Sequence, residues 1–103
     1  MRLTYIEEAR EELLHAVAWY EECQQGLGRQ FDEQVQVAED AILRHPQAWA
    51  KVGGGFRRKL LTRFPYALIY HEPGPDWLEI VAVMHQHRQP DYWRSREAKR
   101  FVL

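Results

Sequence analysis

Apolar residues in the first half of the chain recur at intervals of three and four, which is the spacing of one helix face. In the first such segment, which reaches about Cys23, the apolar positions are Ile6, Ala9, Leu13, Ala16, Val17 and Tyr20. Gly26 and Gly28 interrupt the pattern. It resumes before Pro46 with apolar residues at Leu27, Phe31, Val35, Ala38 and Ile42. Because the residue before a proline disfavours helical geometry, the second helix ends there, and the pattern predicts a two-helix hairpin.

The rest of the chain alternates with a period of two or forms short apolar runs, as β-strands do. A short alternating stretch predicts a first strand over residues 2–5. After the glycines at 53–55, three further strands are predicted over 56–61, 64–71 and 77–85, with a turn at 72–76. We therefore expect one α+β domain over residues 1–103, with an N-terminal strand, a two-helix hairpin, a three-stranded antiparallel meander and a short C-terminal helix from about Asp91.

Composition narrows the class of protein. With 103 residues, 46% of them hydrophobic and 28% charged, the chain suits a single globular domain and is unlike a disordered one. It has no uninterrupted apolar window of roughly 18 residues and no basic segment followed by an apolar one at its start, so we expect a cytoplasmic protein. Its one cysteine, Cys23, excludes an internal disulfide and is interpreted as a core residue of the first helix.

Charge divides unevenly along the sequence. Residues 1–50 carry four arginines and ten carboxylates, whereas residues 51–103 carry ten lysines and arginines and five carboxylates. The near-neutral net charge of −1 therefore combines an acidic helical half with a basic strand-rich half. Such a basic half suits a polyanion, or an acidic protein partner that covers it.

The apolar run at 80–84 ends in a segment rich in imidazoles, guanidiniums and aromatic rings: His85, His87, Arg88, Tyr92, Trp93, Arg94 and Arg96. These groups suit an anionic partner. The alternative is an ordinary domain edge in which surface arginines surround a tryptophan that fills the core. Two histidines alone do not make a zinc site, and no third ligand stands beside them, so we expect neither a metal nor another cofactor.

Two stretches together carry a resemblance to a known family. Phe64, Pro65 and Tyr66 are followed by Tyr70, and the later segment combines His85, His87, Arg88, Pro90, Tyr92, Trp93 and Arg96. In this combination, over nearly the whole chain, the sequence resembles the RelE/ParE superfamily of toxins from type II toxin–antitoxin, or plasmid stabilisation, systems. The resemblance implies growth arrest as the activity, a sheet with helices on one face and a concave basic surface on the other, and a cognate antitoxin as partner.

The same resemblance leaves two targets open. One branch of the superfamily cleaves messenger RNA on the ribosome without a metal, and the other inhibits DNA gyrase. A ribonuclease of this kind must orient a phosphate, neutralise charge and move protons. The candidate catalytic residues here are Arg58 and Arg88 as a phosphate clamp, His85 or His87 as acid or base, and Tyr92 as a stacking or proton-donating group.

Two positions depart from the ribonuclease pattern that the resemblance implies. Ala67 follows Tyr66 where those toxins usually carry a basic residue, and Leu60 stands where a second basic residue would pair with Arg58. The sequence therefore leaves three hypotheses: a ribosome-dependent endoribonuclease, a gyrase inhibitor that only binds, and a catalytically degenerate domain kept as an antitoxin-binding module.

Overall fold

A computed structural model describes residues 1–96. Along this part of the chain the elements are β1 (Arg2–Tyr5), α1 (Glu7–Cys23), α2 (Leu27–Arg44), β2 (Ala50–Gly53), β3 (Phe56–Leu60), β4 (Tyr66–Gly74) and β5 (Trp77–His85). Neither helix combines the length and apolar character that a membrane crossing requires, as far as residues 1–96 are concerned.

The strands form one sheet in the order β1, β5, β4, β3, β2. β1 is parallel to β5, with Arg2 opposite Trp77 and Tyr5 opposite Ile80. The other neighbours are antiparallel. The helical hairpin thus connects a first strand to a later meander, and the predicted α+β class is confirmed.

The structure differs from the prediction in its strands. β2 was not predicted, because it is only four residues long, mostly exposed, and interrupted by a bulge between Lys51 and Gly53, so it shows no alternation of buried and exposed positions. β4 begins at Tyr66 and continues to Gly74, which leaves Pro75 and Asp76 as the connection to β5. Pro73 is tolerated in β4 because the pairing with β5 is irregular there.

The connection between α1 and α2 depends on two glycines. Gly26, the residue just before α2, has a φ of +87°, and the Glu21 carboxylate accepts hydrogen bonds from the amides of Gly26 and Gly28. A Cβ atom on Gly28 would lie 2.5 Å from the carbonyl oxygen of Val17, so the start of α2 approaches α1 more closely than any other residue allows. Cys23 is exposed at the end of α1, and its interpretation as a core residue was wrong.

The main core lies between the helices and one face of the sheet. Its centre is a group of aromatic rings with centroids 4.9 to 5.2 Å apart in the closest pairs, contributed by Tyr20, Phe31, Phe64 and Tyr66. Phe31 is fully buried, and removing such a ring typically costs about 3 to 5 kcal/mol. This core fixes the side of the sheet on which Tyr66 and its strand neighbour His85 lie.

A second, smaller core lies on the opposite face. It consists of Phe56, Ile69, Val81, Ala82, Met84 and Trp93. Trp93 comes from the segment after β5 and is 1% exposed, with its ring 4.8 Å from that of Phe56. This face is therefore not the open concave surface that was expected, because the segment after β5 covers part of it.

The predicted C-terminal helix has a different start. Residues 91–94 form turns, in which the amide of Arg94 donates to the carbonyl of Asp91, and helical geometry appears only at Ser95 and Arg96. Arg94 fastens this turn to β2 through guanidinium hydrogen bonds to the carbonyl oxygens of Val52 and Gly53. The remainder of the predicted helix falls on residues 97–103, outside the described part of the chain.

Candidate functional site

Glu12, on α1, is the centre of the hydrogen bonds that join the first helix to the segment after β5. Its oxygens accept from the Val83 amide at 3.0 Å, from the Tyr92 hydroxyl at 2.7 Å and from both terminal nitrogens of Arg96 at 2.9 Å. Arg88 Nη1 lies 3.7 Å from Glu12 Oε2. One carboxylate on the first helix therefore holds three side chains of the later basic segment.

The sequence analysis did not identify Glu12, although a signal for it exists. Position 12 lies three residues after Ala9 and four before Ala16, both of which are buried. A carboxylate at that spacing faces the protein interior and needs partners there. Glu11, one residue earlier, is exposed.

The side chains of Glu12 and Arg96 also form hydrogen bonds with the backbone of β5 beyond the point where β1 ends. The last backbone contact between the two segments is the Ile6 amide, which donates to the carbonyl of Ile80 at 3.0 Å. Beyond that point Arg96 Nη1 donates to the Val81 carbonyl at 2.9 Å, while the Val83 amide donates to Glu12. Val81 is the extra residue of a bulge opposite β4, so its carbonyl is available for this contact.

Tyr92 is held as a protonated hydrogen-bond donor. Burial raises the pKa of its phenol, and the hydrogen bond to Glu12 raises the pKa further. Its ring lies under two guanidiniums, with centroid distances of 3.8 Å to Arg88 and 5.0 Å to Arg96. Burial alone would lower the pKa of Arg96, but the hydrogen bonds and charge of Glu12 outweigh burial and raise it. The Tyr92 phenol therefore keeps its proton and the Arg96 guanidinium keeps its charge throughout the physiological pH range.

The two histidines at the end of β5 contact each other. The amide of His87 donates to Nδ1 of His85 at 3.0 Å, and the two ring centroids are 5.0 Å apart. The His85 ring also lies 5.0 Å from that of Tyr66 in an edge-to-face arrangement. Because Nδ1 accepts this hydrogen bond, a neutral His85 carries its proton on Nε2. Among residues 1–96, no three potential ligands gather in a way that would hold a metal ion.

A cleft of about 540 Å³ opens beside this pair, between α1 and the end of β5. We refer to it as the α1–β5 cleft; it is lined by Glu12, His15, Ala16, Trp19, Tyr66, Val83, His85 and Arg88. One wall is apolar and the rim carries nitrogen donors. It contains two of the predicted site residues, His85 and Arg88.

Arg58 lies on the other face of the sheet. It stands opposite Ile69, a member of the second core, whereas His85 stands opposite Tyr66 on the helix side. Arg58 lines a smaller depression of about 220 Å³, here named the Arg58–Arg88 cleft, together with Leu60, Met84, Gln86, Arg88 and Pro90. The structure therefore brings His85, His87, Arg88 and Tyr92 together and separates Arg58 from the histidines, with Arg88 bordering both clefts.

Ala67 and Leu60, the two positions that depart from the ribonuclease pattern, lie in different surroundings. Ala67 is fully buried between neighbouring strands, so no basic side chain could reach solvent from that position without repacking. Leu60 is 44% exposed beside Arg58, where it adds apolar surface to the Arg58–Arg88 cleft.

Comparison with known proteins agrees with this architecture. Residues 3–90 match the family described as ParE toxin of type II toxin–antitoxin system, parDE. A solved structure described as the chromosomal ParDE TA system from P. aeruginosa is similar in fold, with a TM-score of 0.61 and 16% identity over 82% of this chain and 95% of that one. No curated protein matches the sequence. The family match covers most of the chain, which therefore belongs to the ParE toxin family of type II toxin–antitoxin systems and has a cognate antitoxin as its partner.

Proposed function

We propose that this toxin acts in the cytoplasm and arrests growth by binding DNA gyrase, without cutting RNA. The observation that supports the proposal is the position of the candidate catalytic groups relative to Glu12. Tyr92 donates to Glu12, Arg88 lies 3.7 Å from it, and Arg58 lies on the opposite face of the sheet from His85.

Nucleolytic cleavage makes stricter demands than binding does. A base, a phosphate clamp and a proton donor must all reach one phosphodiester within hydrogen-bond distance, about 3 Å. Tyr92 is a poor proton donor because its pKa is raised and its hydroxyl already bonds to Glu12. Ala67 is buried and provides no charge. These observations argue against efficient catalysis and leave a basic surface able to bind.

The Arg58–Arg88 cleft has the mixed character of a protein-binding surface. Two guanidiniums border it, while Leu60 and Met84 supply apolar contact area. Arginines beside exposed apolar side chains are typical of the residues that contribute most to binding in protein interfaces. An acidic and partly apolar surface on the target would fit this cleft.

Two assays on the purified chain test the proposal. We expect inhibition of gyrase supercoiling together with intact messenger RNA in a ribosome-bound cleavage assay. Arg58→Ala and Arg88→Ala should each raise the concentration needed for inhibition about tenfold, the usual size of a significant interface contact. Arg44→Ala, which removes an exposed arginine at the end of α2, is the matched control and should have no effect.

Other outcomes would favour the remaining hypotheses. Cleavage of messenger RNA at codon boundaries, lost in His87→Ala or Arg88→Ala, would identify a ribonuclease and contradict our proposal. A folded chain that neither inhibits gyrase nor cleaves RNA, and that does not arrest growth when induced, would support the antitoxin-binding module instead.

A further inference from the structure

We propose that the β3–β4 turn, residues 61–65, is a second contact with gyrase, in which Arg63 binds a carboxylate on an acidic and partly apolar surface of the enzyme. The inference rests on the proposed function and deepens it, because it adds a residue outside the Arg58–Arg88 cleft and names the group that this residue recognises. Three observations support it: the backbone conformation of Arg63, its lack of partners among residues 1–96, and the position of the turn beside the cleft.

The backbone of Arg63 is left-handed, with a φ of +73°. Side chains other than those of asparagine and aspartate are uncommon in this conformation, because the Cβ atom lies too close to a neighbouring carbonyl oxygen. The remaining left-handed positions of residues 1–96 hold glycine, at 26, 53, 54 and 55, or aspartate, at 76. Arg63 thus occupies a position that glycine would fill without this strain, and such exceptions concentrate at functional sites.

The tip of the turn is fixed by buried residues on both sides. Leu61 and Phe64 are 7% and 8% exposed and belong to the main core. The Leu61 amide donates to the Tyr66 carbonyl at 2.9 Å, and the Tyr66 amide donates to the Phe64 carbonyl at 2.8 Å. Thr62 and Arg63, between these anchors, are exposed. Because the core holds the tip in place, a partner has little of the turn to order when it binds.

The Arg63 side chain makes no hydrogen bond or ion pair within residues 1–96. In contrast, the guanidiniums of Arg94 and Arg96 donate to backbone carbonyls or to a carboxylate. The chain between Asp40 and Glu72 contains no carboxylate that could serve Arg63 locally. Its charge therefore adds no ion pair to the fold and suits a carboxylate supplied by another molecule.

The turn borders the Arg58–Arg88 cleft on two sides. Leu60, the last residue of β3, lines the cleft, is 44% exposed and directly precedes the turn. At the other side the Pro65 carbonyl accepts a hydrogen bond from the amide of Gln86 at 2.8 Å, and Gln86 also lines the cleft. A partner surface that covers Leu60 therefore extends onto the turn.

The residues of this surface fit a protein better than a nucleic acid. Within the turn and the lining of the cleft, the only aromatic ring is that of Phe64, which is buried, so no ring is available to stack on a base. Arginines beside exposed aliphatic side chains such as Leu60 suit a protein surface that presents carboxylates next to apolar groups.

Two substitutions that a left-handed backbone accepts test the role of the Arg63 side chain. Arg63→Gly and Arg63→Asn remove the guanidinium and relieve the strain of the turn. In a gyrase supercoiling assay with the full-length chain, we expect each to raise the inhibitory concentration about tenfold. Both variants should unfold thermally at the wild-type temperature or a few degrees above it, because no internal hydrogen bond or ion pair is lost.

Two control variants separate the backbone change from the charge change. Asp76→Gly makes the same relief of a left-handed residue in the turn at the other end of β4. Arg44→Ala removes an exposed positive charge at the end of α2. Both should inhibit gyrase within about twofold of the wild-type concentration.

Three results would overturn the inference. If Arg63→Gly and Arg63→Asn inhibit gyrase as the wild type does, the turn does not contact the enzyme, although gyrase remains the target. A lower unfolding temperature in both variants would show that the guanidinium serves the fold. A loss of affinity for the antitoxin or for a DNA duplex, with gyrase inhibition unchanged, would assign the turn to a different partner.

Failure of the proposed function has a different signature, because the wild-type chain itself would then leave gyrase active. Gyrase would be excluded as the partner of the turn, and growth arrest in induced cells would decide whether the turn contacts the actual target. Arrest weakened in Arg63→Gly but not in Asp76→Gly would retain the contact and change only the partner. Equal arrest in both would remove the contact as well.

Discussion

Arg96 and Glu12 form a largely buried ion pair, with Arg96 Nη2 2.9 Å from Glu12 Oε2 and side-chain exposures of 13% and 16%. The pair joins the last described turn of the chain to its first helix. Because Arg96 also donates to the Val81 carbonyl, the same side chain occupies part of the edge of β5 beyond the end of β1. The basic segment that suggested a binding surface in the sequence is therefore also part of the framework of the fold.

Glu12→Gln should destabilise the protein by about 2 to 4 kcal/mol, because removing one partner of a buried ion pair leaves the other charge uncompensated. Urea unfolding measures the loss. Glu11→Gln changes an exposed carboxylate one residue away and is the control. Equal stability of the two variants would show that Glu12 does not hold the segment after β5 in solution.

Gly28→Ala should destabilise the hairpin, although the same change in an open helix stabilises it by up to about 1 kcal/mol. The reason is the 2.5 Å separation between the new Cβ and the carbonyl oxygen of Val17, which forces α1 and α2 apart. Gln34→Ala, farther along α2, makes a smaller gain in helix propensity without this close contact and is the control. Thermal unfolding should show a lower midpoint for Gly28→Ala than for the wild type; a higher one would contradict the close approach.

Trp93→Ala should cost about 3 to 5 kcal/mol, as expected for emptying a fully buried aromatic site. Trp93→Phe should cost much less. The indole Nε1 of Trp93 has no hydrogen-bond partner within residues 1–96, so phenylalanine removes an unsatisfied polar group along with some volume. Trp19→Ala, at an exposed indole, controls for the loss of a tryptophan. If Trp93→Phe and Trp93→Ala prove equally costly in denaturant titrations, Nε1 has a partner in solution.

Stability should fall steeply in alkali. All five tyrosines have raised pKa values in the folded state, mainly because of burial, and the pKa of Tyr70 reaches about 12. Folding thus favours the protonated phenols. This contribution is fully present below the unfolded pKa of 10.0 and is lost as the pH rises through the folded values. Tyr92→Phe should unfold with a shallower pH dependence above pH 10.0 than the wild type, and an unchanged dependence would contradict the raised pKa.

The sequence predicted the helices better than the sheet, for a physical reason. α1 and α2 each bury one face, so their apolar residues recur at the helical spacing. β2 buries no residue fully and therefore shows no such pattern. The parallel pairing of β1 with β5 depends on residues more than seventy positions apart, which local spacing does not reveal.

The candidate site was predicted only in part, because sequence spacing does not show what lies opposite a side chain. His85 and Arg88 do line a cleft. The alternation of side chains along β3 indicates which residues of that strand share a face with Arg58. It does not indicate whether His85, which lies on β5 two strands away, is on the same face of the sheet. Glu12 belongs to the acidic half of the chain, in which no site residue was predicted, yet it holds the basic half in position.

The pairing of β1 with β5 determines when the sheet can form during synthesis of the toxin. β5 lies between β1 and β4, so neither of these strands has its full set of partners until residue 85 has been synthesised. The helical hairpin is made early but has no sheet to pack on until then, and pairing between such distant segments is slow. The sheet of a growing chain therefore stays incomplete until β5 has been made. An antitoxin already present at that moment can meet the toxin as it folds.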